Sequence, residues 1–158
     1  MTNSNIHPTA IILPDAHIDA SATVNKYVRI GERVSINANV TVGDGTIVGE
    51  GAIVYEDVII GEVTNIGANV SISAGAIIHN AAFVGADAFI GTNARIGESA
   101  RIGAGAIIHS GASLCVGAWI GESAIIHSGA RIGAYAIVNA GAVVSADAIV
   151  SASTIVER

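Results

Sequence analysis

Every sixth residue from Ile6 to Val156 is Ile, Val or Leu, without an exception. The run reads Ile30, Ile36, Val42, Val48, Val54, Ile60 in the first half and Ile90, Ile96, Ile102, Ile108, Leu114, Ile120 in the second. A helix would repeat its apolar positions every 3.6 residues, so a period of six excludes one. It fits a short strand with inward side chains two apart, followed by a tight turn. Two residues before each large aliphatic stands a small or β-branched one, such as Ala76, Ala82, Ala88, Ala94 or Val28 and Val34. Gly often follows the aliphatic, as at Gly31, Gly43, Gly61 and Gly97, and Gly, Asn or Asp recurs two positions later, as at Asn39, Gly45, Asp57 and Asn69. These residues tolerate left-handed backbone angles.

Three such rungs close a triangle, so one coil takes about 18 residues and stacks ~4.8 Å on the last. The chain is therefore expected to be all-β: a single-stranded parallel β-helix, a triangular solenoid of about eight coils. It forms one domain over 1–158, with a short N-terminal tail at 1–5. No insertion interrupts the register. Pro8 and Pro14 blunt the first rungs, because proline cannot donate a ladder hydrogen bond, and only Glu157 and Arg158 stand at the other end.

Between the two inward residues of each rung lies one that points outward. Sorted by coil, one face reads Phe89, Ile107, Ile125, Val143. A second reads Phe83, Arg101, Trp119, Ile137, Ile155, and the third Arg95, Ser113, Arg131, Ile149. A continuous apolar ladder on a flat face marks a contact surface. Closed symmetric assembly is the common outcome, and the triangular section makes a homotrimer natural, with Phe89, Ile107, Ile125 and Val143 as its interface.

Composition bounds the partners. Hydrophobic residues make up 51% of the chain and charged ones 13%, yet no apolar stretch approaches the ~18 residues of a spanning helix. Met1 to Asn5 is polar and does not look like a secretion signal. A soluble, cytoplasmic protein is expected. Net charge is −6 with one lysine, Lys26, and six scattered arginines, which argues against nucleic acid. The lone Cys115 cannot form an internal disulfide.

Three histidines occupy near-identical rungs: Ala76-Ile77-Ile78-His79, Ala106-Ile107-Ile108-His109 and Ala124-Ile125-Ile126-His127. His109 and His127 fall on one corner, one coil apart, and His79 on another. The stacked pair is read as structural or interfacial. As weak metal candidates, His109 and His127 would share an ion with a group from a neighbouring subunit. On the outer faces only Thr23 and Thr41 stack, so the chain lacks the threonine array an ice-binding face needs.

The opening Ile6-His7-Pro8-Thr9-Ala10 and the unbroken hexads resemble the bacterial hexapeptide-repeat acyltransferases, which include lipid A acyltransferases and sugar or sialic acid acetyltransferases. The resemblance implies a left-handed β-helix and a trimer. It also implies an acyl-CoA or acyl-carrier donor, such as acetyl-CoA, in the groove between subunits. A histidine general base there deprotonates the acceptor for attack on the thioester. In the sugar acetyltransferases that base belongs to an Asn-His-Asp-Cys type rung. The nearest equivalent is Ile78-His79-Asn80-Ala81-Ala82, with His79 one position early and alanines in place of the Asp and Cys. His79 is thus the catalytic candidate.

The γ-class carbonic anhydrases are a second likeness. Gly105-Ala106-Ile107-Ile108-His109-Ser110 resembles one of their zinc rungs, but Ile102-Gly103-Ala104 replaces the other. Two functional classes follow: a CoA-dependent acyltransferase with an altered catalytic rung, or a non-catalytic trimeric scaffold, natural or idealised.

Overall fold

The inward aliphatics fix the architecture. In the computed structural model, which describes residues 5–158, 26 two-residue strands follow one another, one per hexad. They run from β1 (Asn5–Ile6), β2 (Ile11–Ile12) and β3 (His17–Ile18) to β26 (Ile155–Val156). Every third strand pairs in parallel, making two sheets of nine strands and one of eight. The register never slips: Asn5 pairs with Thr23 at one end and Ile137 with Ile155 at the other. The chain is a three-sided, left-handed parallel β-helix, as expected. Among the described residues no helix is long and apolar enough to cross a membrane.

One boundary differs from expectation. Asn5, assigned to the tail, is the first residue of β1. An outward strand position asks only for a backbone that pairs, so its polar side chain gave no sign. The rest of the expected tail, 1–4, lies outside the described residues.

The core is one column. Ile30, Ile60, Ile90 and Ile120 are 0–1% exposed, and the alanines beside them, such as Ala94, Ala100 and Ala106, are fully buried. Fully burying each isoleucine contributes about 1.5–3 kcal/mol, and the alanine leaves room for it at the corner. The column thins at both ends, where Ile6, Ile12, Val150 and Val156 are only partly covered.

From Tyr27 to Ser153 the residue just before each small inward one has a positive φ. Asn39, Asp57, Gly45 and Gly51 do, as their types allow, but so do Tyr27 (57°), Val63 (53°) and Tyr135 (56°). The left-handed turn aims that residue's N–H at the coil below: Val63 N donates to the Asp44 carbonyl at 2.8 Å, and Tyr135 N to Val116 at 3.0 Å. Strand residues donate upward instead, as Ile59 N does to the Ala76 carbonyl. Stacking therefore overrides residue preference.

Three faces result. The first contains β1 and carries Arg95, Ser113 and Arg131 outward, the second contains β2 and carries Phe83, Arg101 and Trp119, and the third contains β3 and carries the ladder from Phe89 to Val143.

Candidate functional site

The expected ladder is in register. Phe89 pairs with Ile107, Ile107 with Ile125, and Ile125 with Val143. Phe89 and Val143 are exposed and the two isoleucines half-buried, since each is flanked by a neighbour above and below. The four form a continuous apolar strip along the third face.

At the edge of that strip, on the corner between the third and first faces, His109 and His127 stack. Their ring centroids are 5.1 Å apart and their planes 4° from parallel. Nitrogen lone pairs lie in the ring plane, so no single point lies in line with both rings as they stand. Joint coordination of one ion would need a ring to turn. Among the described residues no group of three or more His, Cys, Asp or Glu side chains is placed to hold a metal.

His79 lies on the corner between the first and second faces, away from the stacked pair. Gly61 and Gly97 occupy the same corner position one coil below and one above. The Asn80 side chain folds down over Gly61 and accepts from the Glu62 N–H at 2.9 Å. The rung is also tied from inside. Thr46 and Thr64 replace the usual small aliphatic here and are buried. Thr46 Oγ1 donates to the Gly61 carbonyl at 2.8 Å and accepts from Thr64 N at 3.2 Å, and Thr64 Oγ1 donates to the His79 carbonyl at 3.3 Å. The His79 backbone is thereby fixed, while the imidazole is exposed to solvent. Cys115, an exposed free thiol, stands two coils higher on the same corner.

The sequence reading missed one feature. A concave patch of about 460 Å³ lies where the second face meets the third, lined by Gly103, Gly121, Glu122, Asn139 and the side chains of Trp119 and Ile137. The available signal was a glycine column, Gly103 and Gly121, one coil apart beside Trp119. Side-chain-free corner positions next to a large aromatic leave a hollow.

Comparison with known proteins agrees with this geometry. A family model described as bacterial transferase hexapeptide (six repeats) matches residues 81–115. Among solved structures, the UDP-N-acetylglucosamine acyltransferase of Francisella novicida aligns with a TM-score of 0.55 and 21% identity, over 93% of this chain and 66% of that one. A hexapeptide transferase family protein from Anaplasma phagocytophilum aligns at 0.56 and 15%, over 94% and 79%. The chain thus spans about two thirds of the length of the Francisella enzyme. No curated protein sequence matches. At these identities the likeness is one of fold.

Proposed function

We propose that the chain, whose left-handed β-helix is shared with hexapeptide-repeat acyltransferases, is one of that kind and assembles as a homotrimer through its third face. The grooves between subunits then take an acyl thioester such as acetyl-CoA. The observation that carries this reading is the in-register strip of Phe89, Ile107, Ile125 and Val143. A rigid flat face with such a strip is stabilised by covering it, and prisms packed side by side enclose long grooves of the sort ligands occupy.

Within that assembly His79 is the general base, taking a proton from the acceptor hydroxyl or amine as it attacks the thioester carbonyl. The leaving thiolate recovers a proton from the imidazolium. The inner threonine pair supports the role by holding the His79 backbone in place. Acetyl-CoA should raise the melting temperature in proportion to its affinity. His79→Ala should abolish turnover while leaving that shift. The absence of any shift at millimolar acetyl-CoA would overturn the acyl-transfer reading.

The second reading, a trimeric scaffold without turnover, is favoured by the register itself. From β1 to β26 no loop leaves the column to embrace a substrate. It predicts the same trimer, no acetyl-CoA shift and no effect of His79→Ala.

A further inference from the structure

Each outward residue of the first face is flanked by the equivalent residues one coil below and one above. On β16 (Arg95–Ile96), β19 (Ser113–Leu114) and β22 (Arg131–Ile132) the series reads Arg95, Ser113, Arg131. Both arginines are exposed and Ser113 is half-buried. Isoleucines close the series, Ile77 below Arg95 and Ile149 above Arg131. A short hydroxyl side chain therefore floors a notch between two long cationic ones.

The other four of the six arginines are placed differently. Arg33 is paired with Glu50. Arg29 stands between Ile11 and Ile47, and Arg101 between Phe83 and Trp119, so their alkyl stems have apolar neighbours on both sides. Arg158 lies over Gly141, beyond the last strand. Arg95 and Arg131 alone share a small polar neighbour. Over these coils the flanking corners carry Glu98 and Asp147. Neither carboxylate pairs with an arginine, since Arg33 with Glu50 is the one ion pair among the described residues. The corner beside Ser113 is also open: a Cβ on Gly111 would meet nothing within 4 Å.

We infer that Arg95, Ser113 and Arg131 form a clamp for a phosphate group, free or carried as a monoester, held between the two guanidiniums with the Ser113 hydroxyl as a further donor. The clamp lies on the first face, clear of the apolar strip, and does not depend on the trimer or on the thioester reading. The two arginine backbones are two strand spacings apart, about 9.6 Å. Charge-assisted N–H···O bonds run about 2.8 Å, so one oxyanion bonded from both sides fills a gap of that width. A carboxylate presents its two oxygens in one direction and satisfies one planar fork. A tetrahedral phosphate presents oxygens to both forks and another to the hydroxyl. The net charge of −6 repels an anion at a distance. Physiological salt screens that field beyond about 8 Å, which leaves the two adjacent guanidiniums to decide.

Heteronuclear NMR of the arginine Nε–H groups in the full chain tests this. Inorganic phosphate, titrated at constant ionic strength, should shift the Arg95 and Arg131 signals along one saturable curve while Arg29 and Arg101 stay in place. Arg95→Gln and Arg131→Gln should each weaken binding about tenfold, the loss of a hydrogen bond to a charged group. Ser113→Glu should place the chain's own carboxylate in the notch and abolish phosphate binding, with β-sheet circular dichroism unchanged. Glycerol 3-phosphate separates the sources: tighter binding than inorganic phosphate assigns the clamp to monoesters, and equal or weaker binding assigns it to the free ion. Acetate should bind about tenfold more weakly than phosphate, because it reaches only one fork. Unsaturable drift of all the arginine signals, acetate bound as tightly as phosphate, or phosphate binding undiminished in the two glutamine variants would overturn the clamp.

Discussion

The buried hydroxyl of Thr64 donates to the main-chain carbonyl of His79, one coil above, at 3.3 Å. Thr64→Val keeps the shape and removes the donor, so it should cost about 1 kcal/mol in urea unfolding. Thr46→Val removes the donor to the Gly61 carbonyl and also leaves the Thr64 N–H without its hydroxyl acceptor. Its cost should be larger, about 1–3 kcal/mol. Equal stabilities for the two variants and the wild type would show that these bonds contribute nothing.

Val63 holds a β-branched side chain at φ 53° with 69% of its surface exposed. Little packing is lost on replacement, while the left-handed backbone costs an L-residue roughly 1–2 kcal/mol. Val63→Asn should therefore stabilise the fold by about 0.5–1 kcal/mol. A lower urea midpoint would mean that the valine contacts outweigh the strain.

How much of this was legible beforehand divides along the backbone. The inward set was readable because one period of six generates it, and the three outward columns followed by counting coils. The pairing of Phe89 with Ile107 and of Ile107 with Ile125 is where that counting put it. What lay beyond reach depends on hydrogen bonds and side-chain angles. Val63 and Tyr135 are types that avoid positive φ, and only the bonds to the coil below explain them. The threonine tie under His79 looked like two ordinary small residues. The stacking of His109 on His127 was readable as proximity, whereas the near-parallel ring planes were not. The hollow beside Trp119 arises from the missing side chains of Gly103 and Gly121, and the periodic pattern draws no attention to such absences.

Near the N-terminus the Ser21 hydroxyl donates to Asp19 at 2.6 Å and the Ser21 N–H at 2.9 Å. These bonds favour the carboxylate and hold the Asp19 carboxyl below its ordinary value. A depressed acid contributes stability that is present above its unfolded pKa and is lost as the pH falls through its folded one. Ser21→Ala should therefore move the Asp19 titration upward in an NMR pH series. An unmoved midpoint would discount the hydrogen bonds as the cause.

Acetyl-CoA at ten times its dissociation constant should add about 1.4 kcal/mol to unfolding stability. His79→Ala, whose missing imidazole is solvent-exposed, should leave that increment unchanged while ending transfer. A His79→Ala protein that still turns over would remove the histidine from the chemistry.

Ile107→Glu with Ile125→Glu places two carboxylates in the middle of the apolar strip, where a subunit contact would desolvate them. The double variant should remain folded, because both side chains point away from the core, and should sediment as single chains. A mass unchanged from the wild type would discredit the strip as an interface.

The mass of the wild-type protein in solution bears most directly on all of this. Sedimentation equilibrium at micromolar concentration should return three times the chain mass, because an exposed apolar face on a rigid prism is stable only when covered. A single-chain mass at that concentration would contradict the account.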